Sequence, residues 1–362
     1  MLLYSQMLQT PFYNPEVSYE ENYEKGPYGV FADGKKYHQK GEPQYEFAGQ
    51  KIYLPFGIPA GPLINGKFVK AALDKGFDIV VYKTVRSKKY PAHLWPNVLG
   101  LKLKGNLTEK KADRGLVGYS NYHEPLSITN SFGVPSFDPD VWQEDLASCV
   151  RYAKKGQVVV GSFQGTLPPD HHIATYIKDF VLTAKLMKET KVKVIEINLS
   201  CPNEGHANFL CFDVERTRRI IVKIKEAIGD VPLILKLAYF HDDTRLLKFV
   251  TTLCGLVEGF AAINTLPAKI LDVHGRQALP GEGRLKSGVC GKAIQWAGLD
   301  MVRRLKKIRE QLGLKYTIEG VGGITTVPDY KKYRKAGADS VMSATGAMWN
   351  PYLSQEIKKK YL

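Results

Sequence analysis

Eight times between residue 55 and the C-terminus, a short apolar run gives way to a polar turn and then a longer amphipathic stretch. The runs are FGIPAG (56–61), DIVVYKTV (78–85), QVVVGSFQ (157–164), KVIEINLS (193–200), PLILKLA (232–238), GFAAINT (259–265), KYTIEGVGG (315–323) and DSVMSATG (339–346). Most lack strict polar–apolar alternation, which suits strands buried on both faces of a parallel sheet. Between them the spacing predicts helices. Residues 170–189 place Ile173, Tyr176, Ile177 and Phe180 on one stripe. Residues 213–228 open on a capping Asp213 and stop before Gly229, and 295–312 end at Gly313. Eight such units close into an α/β (β/α)8 TIM barrel more naturally than they spread into a doubly wound open sheet. With 44% hydrophobic residues over 362 positions, there is ample material for one large core.

Two stretches stand outside the alternation. Residues 1–50, rich in Tyr, Gly and Glu, read as an irregular N-terminal extension to a barrel over 51–362. Residues 86–138 form a long insertion between the second and third units, with a basic patch from Lys102 to Lys111 and a hairpin pattern. Loops this long in compact domains usually serve function, often as lids.

The formal net charge of +15 comes from lysines spread over many helices, which fits a basic surface better than a nucleic-acid stripe. The interleaved aromatic and basic residues of nucleic-acid modules are missing. The five cysteines, Cys149, Cys201, Cys211, Cys254 and Cys290, form no CxxC pair and have no histidines at zinc spacing, so no metal site is expected. A sparse, odd set fits a reducing compartment. MLLYSQMLQTPFYNP is a poor signal peptide, and no apolar run reaches the length of a membrane span. The expectation is a cytoplasmic protein.

In a barrel of this kind the reactive face is the C-terminal ends of the strands. There the sequence puts Lys83–Thr84, Gln164, Asn198 to Cys201, Lys236, Asn264–Thr265, Gly322–Gly323 and Ser343 to Thr345. A lysine buried at a strand end is costly unless it is paired or meets an anion, and two at the same mouth point to a site. EGVGGI (319–324) and MSATGAM (342–348) are the seventh and eighth strand–loop junctions, where many barrels bind phosphate through backbone N–H groups. In NLSCPN (198–203), a thiol between two carboxamides can act as a general base toward a carbon acid, or be a small apolar residue in a tight turn.

The string EINLSCPN (196–203) closely resembles the active-site strand of dihydroorotate dehydrogenases. PAGPL (59–63), VVYKTV (80–85), SITNSFGVPS (127–136), LILKLA (233–238), AAINT (261–265), EGVGGI and MSATGAM are similar to further motifs of that family, in the same order, over roughly 50–350. The pyrimidine-binding domain of dihydropyrimidine dehydrogenase shares many of them. The resemblance implies FMN as cofactor. It implies that Cys201 removes the C5 proton of dihydroorotate while the C6 hydride passes to flavin N5. A cysteine here is similar to the class 1 enzymes, whereas the membrane-associated class 2 carries serine. Lys236 would stabilise charge at the flavin N1–O2 edge, and Lys83 would bridge flavin and substrate. Asn130, Ser131, Gly133, Asn198, Asn203, Asn264 and Thr265 would hold the pyrimidine and its carboxylate. Ala60, Gly61, Thr84 and Asn198 would line the flavin ring, Ser287 and Gly288 the ribityl chain, and Gly322, Gly323, Ala344 and Thr345 the phosphate.

The chain departs from the family pattern after Asn203, where EGHANFLCFD makes Cys211 a second acid/base candidate, and at Ala344, which replaces a common glycine. Reduction of uracil or thymine is the alternative activity. Among partners, the resemblance implies a small pyrimidine substrate, a homodimer as is common in the family, and fumarate or a separate electron-transfer protein as acceptor. No cysteine array for an iron–sulfur cluster is present in the sequence.

Overall fold

The computed structural model describes residues 10–122, 126–169, 172–200 and 210–362. After helix α1 (Tyr19–Lys25), a hairpin forms from β1 (Tyr45–Phe47) and β2 (Gln50–Ile52). The barrel begins with β3 (Phe56–Ile58), α2 (Gly66–Asp74) and β4 (Ile79–Val85). The first insertion carries β5 (Gly100–Leu101), α3 (Glu109–Arg114), β6 (Leu116–Tyr119) and β7 (Ser127–Asn130). The alternation resumes with α4 (Pro139–Tyr152), β8 (Val158–Phe163), α5 (Ile173–Glu189), β9 (Val194–Asn198) and α6 (Val214–Ile228). It continues through β10 (Leu233–Leu237), α7 (Asp243–Leu253) and β11 (Gly259–Ala262). A second insertion adds β12 (Leu266–Leu271) and β13 (Lys286–Gly291) before α8 (Gln295–Gln311). The chain ends with β14 (Thr317–Val321), α9 (Val327–Ala336), β15 (Ser340–Met342), α10 (Thr345–Trp349) and α11 (Leu353–Tyr361).

Strands β3, β4, β8, β9, β10, β11, β14 and β15 pair in that order, and β15 returns to β3 to close a parallel barrel. Each lies inside one of the eight apolar runs. Closure depends on a close approach: a Cβ on Gly57 would stand 1.9 Å from the Ile79 carbonyl oxygen, so no other residue fits that rung. The helices start where capping chemistry directs. The Asp213 carboxylate accepts the Arg216 N–H at 3.0 Å, and Thr326 with Asp329 makes a capping box for α9.

Two apolar layers result. Helices pack on the barrel's outside, with Phe180, Ile220, Ile224, Phe249 and Leu305 wholly buried. Inside, Ile79, Val81, Val158, Val160, Val194, Ile234, Val321 and Met342 form a column, and Phe47 and Ile52 of the hairpin join it at the strands' N-terminal end. Burying each of those two side chains contributes roughly 1.5–3 kcal/mol. The bottom of the barrel is thereby plugged.

At the opposite end, β12, β13, β7, β5 and β6 close into a small sheet of their own, antiparallel except for the β6–β12 pair. Sequence patterning singles out 86–138 but leaves 266–291 within a barrel unit; the structure pairs the two, for instance Gly288 with Asn130 and Val289 with Thr129.

Candidate functional site

The main cavity, of about 640 Å³, lies between the C-terminal ends of the barrel strands and this small sheet. Strand β4 supplies Lys83 and Thr84, β9 supplies Asn198 and β10 supplies Lys236; all four are buried and line the cavity. Ala60 and Gly61 enter from the turn after β3, and Asn264 and Thr265 from the turn after β11. The two insertions add Asn130, Ser131 and Gly133 on one side and Ser287 and Gly288 on the other. A smaller recess of about 60 Å³ shares Ala60, Gly61, Asn130, Lys236, Asn264 and Thr265 with the main cavity and reaches Gly322, Gly323, Ala344 and Thr345. Cys201 and Asn203 lie outside the described residues.

The carboxamides form a chain. Asn264 Nδ2 donates to Asn198 Oδ1 at 3.2 Å and to Ser200 Oγ at 3.0 Å, and the Asn198 amide meets the Gln164 amide at 2.9 Å. Below them, Thr84 and Ser162 hydroxyls are 3.0 Å apart, and Ser162 donates to Glu196 Oε1 at 2.9 Å. The Lys236 ammonium reaches the Ala60 carbonyl at 3.4 Å, and Lys83 Nζ sits 5.8 Å from the centre of the Phe132 ring. Glu319, on the strand next but one to Lys236, is buried; desolvation first and the charge of Glu196 second push its carboxyl up to about 8, against the pull of Lys236.

The far end of the recess suits an anion. Gly322 and Gly323 have φ of 124° and 69°, and neither N–H has a hydrogen-bond acceptor among the described residues. The loop they open is held from behind. Asp329 receives Lys292 Nζ at 2.7 Å and accepts the Thr325 and Thr326 N–H groups. Burial opposes ionisation of that carboxyl, but these hydrogen bonds outweigh it and hold the group well below the usual range.

Several residues here carry no sequence signal. His93 and Arg284 line the main cavity, and burial, then the Arg284 charge, lowers the imidazole's proton affinity. Both sit on insertion loops without a motif. Tyr13 and Cys290 line the smaller recess, and Tyr13 comes from the N-terminal extension. Cys211 is a correction. Its side chain is fully buried, lines neither cavity, and has its thiol pushed up to about 12 by burial, so it is packed core and not an acid/base.

A closed parallel barrel with ammonium groups, carboxamides and free backbone N–H groups at its mouth defines an α/β-barrel enzyme acting on a small polar molecule. Residues 120–361 match the family model for dihydroorotate dehydrogenase. A dihydroorotate dehydrogenase of Dictyostelium discoideum is 34% identical over 370 residues, covering 96% of this chain and 97% of that protein. The catalytic subunit of dihydroorotate dehydrogenase B (NAD(+)) from Thermodesulfovibrio yellowstonii is 26% identical over 65% of this chain and 72% of its own. That from Petrotoga mobilis is 25% identical over 71% and 79%. The chain belongs to the dihydroorotate dehydrogenase family, a flavin-dependent family of oxidoreductases acting on CH–CH bonds. Among the described residues, no helix is long and apolar enough to cross a membrane.

Proposed function

We propose that the protein oxidises dihydroorotate to orotate with FMN as its resident cofactor, in the cytoplasm. The observation that carries this is the continuity of the two cavities: ammonium groups and amides at the wide end, glycine N–H donors at the narrow end. The residues fit the cofactor. Unpaired N–H groups suit a phosphate, and the ring of polar strand ends suits a flat heterocycle edge. When bound, FMN supplies the acceptor for the hydride leaving C6.

The protein's part is binding and proton handling. Lys83 attracts the substrate carboxylate, and Asn130, Asn198, Asn203 and Asn264 match the ring's N–H and carbonyl groups without adding charge. Ser131, Gly133 and Thr265 complete that wall. An analogue lacking those groups leaves the amides unpaired, at about 1–3 kcal/mol each. Cys201 takes the C5 proton, and a thiol with an ordinary pKa of about 8.5 needs only modest tuning for that role. Lys236 and Thr84, with Ala60 and Gly61, border the ring; Ser287 and Gly288 the ribityl chain; Gly322, Gly323, Ala344 and Thr345 the phosphate. Residues 51–362 are then the FMN-binding barrel, with 86–138 part of its substrate wall.

Anaerobic mixing tests this. Dihydroorotate should bleach the flavin colour of the purified protein, and dihydrouracil should not; bleaching by dihydrouracil alone refutes the substrate. Cys201→Ser should slow the bleaching at least tenfold while flavin stays bound. Reoxidation by fumarate, a quinone or NAD with a partner then identifies the acceptor.

A further inference from the structure

The eight barrel strands carry four charged residues: Lys83 on β4, Glu196 on β9, Lys236 on β10 and Glu319 on β14. None is more than 5% exposed. The lysines line the main cavity and the glutamates do not. Side chains two apart on a strand share a face. Glu196 stands two residues before Asn198, which lines the main cavity, and Glu319 two before Val321, which lines the recess. Both carboxyls therefore turn into the barrel, about 6–7 Å below its mouth.

Charges enclosed this far from water are tolerated only where opposite signs nearly balance. Glu196 accepts the Ser162 hydroxyl at 2.9 Å, and the Ser162 and Thr84 oxygens are 3.0 Å apart. Thr84 lines the main cavity, so two hydroxyls connect that cavity to the carboxyl. The Glu319 carboxyl makes no hydrogen bond among the described residues. At its level β11 and β15 present the uncharged Ala261 and Ser340. The charges it faces are Glu196 and Lys236, the latter in register with it through Ala261. Lys83, the fourth, stands by Phe132 at the wide end. The Lys236 ammonium leans towards the Ala60 carbonyl, on the cavity side. Negative charge arriving there competes with the two carboxyls for it.

We propose that Glu196 and Glu319 form a proton site linked to the redox state of the flavin, taking up one proton from solvent as electrons reach the ring beside Lys236 and returning it when they leave; this rests on the flavin reading above. The balance is complete. Two electrons come from dihydroorotate with the C6 hydride, its C5 proton goes to Cys201, and the proton for the pair comes from water by way of Thr84 and Ser162. The carboxyls act through Lys236, as positioning residues. Burial first and the Glu196 charge second hold the Glu319 proton up to about 8, against the pull of Lys236. Below that pH the oxidised protein already carries the proton. Above it the carboxyl is ionised, and the uptake becomes visible.

The test is the midpoint potential of the bound flavin, followed by its visible spectrum in holoprotein from about pH 7 to about pH 9.5. In the wild type its slope against pH should become about twofold steeper above pH 8, as a second proton joins each pair of electrons. Glu319→Gln should keep the shallow slope throughout. Glu196→Gln removes the repulsion that raises the proton affinity of Glu319, so the steep region should begin at lower pH. A wild-type slope that is the same above and below pH 8 overturns the proposal, whether or not either variant folds. So does a steep region that survives Glu319→Gln, because another group then takes the proton. If the wild-type protein binds no flavin, the functional reading fails as well; a flavin-bound protein with a single slope rejects the proton site alone.

Discussion

Glu319 shows how one side chain can set the behaviour of a barrel interior. It lies across Ala261 from Lys236, since Ala261 is in register with both. Its carboxyl ordinarily titrates near 4.5 and here does so near 8, so the folded protein holds a proton that the unfolded chain gives up between those values. Stability must therefore fall as pH rises through that window. Glu319→Gln cannot release the proton. Urea midpoints of the variant, measured across the window, should lie on a flatter curve and gain by more than a kilocalorie per mole at its upper end. An unchanged slope would assign the pH dependence to other groups. Nothing in TIEGV marks this glutamate as unusual; its neighbours in space come from β9 and β10, far away in sequence.

At the scale of elements, the regular alternation is readable because each unit repeats the same physics. A run of β-branched residues too apolar for a half-exposed strand must be enclosed, and the helix after it announces itself by its stripe and cap. The short strands above the mouth are different. β5 has two residues and β6 four, and β12 alternates buried and half-buried positions, so their pairing follows from partners and not from local pattern. The site splits along the same line. Strand-end lysines and amides stand out in apolar runs, whereas His93, Arg284 and Tyr13 sit in segments whose location only the folded chain reveals. Helix α11 illustrates a tertiary tie. Its Lys358 pairs with Asp78 at 2.7 Å, both almost fully buried, and Asp78 also accepts the Leu54 N–H at 2.8 Å. Burial pushes the carboxyl up to about 6 and the ammonium down, while the pairing opposes both shifts. Lys358→Met strands the carboxylate, and denaturation should register a loss of about 3–5 kcal/mol. A loss under 1 kcal/mol would mean that Asp78 simply takes up a proton.

For the molecule as a whole, the two insertions that roof the barrel are joined to each other by Arg284. Its guanidinium donates to the carbonyls of Leu94 at 2.7 Å, Pro96 at 3.0 Å and Ser131 at 3.3 Å, so the second insertion grips the first. Arg284→Met removes these donors together. Hydrogen exchange should speed up at least tenfold at amides of β7 and β13 while those of β8 to β10 keep their protection. Uniform acceleration throughout would show that the two parts open as one. The closing rung of the cylinder, where Val341 meets Phe56 and Met342 meets Gly57, joins the first barrel strand to the last. The glycine pair and the turn that face the narrow recess, Gly322–Gly323 and Ala344–Thr345, follow the last two barrel strands. Every barrel strand from β3 to β15 must therefore be synthesised before a cradle for a ligand exists. Growing chains hold the edge of β3 unmet until β15 arrives, and a chain cut before β15 is left an open shell instead of a weaker enzyme.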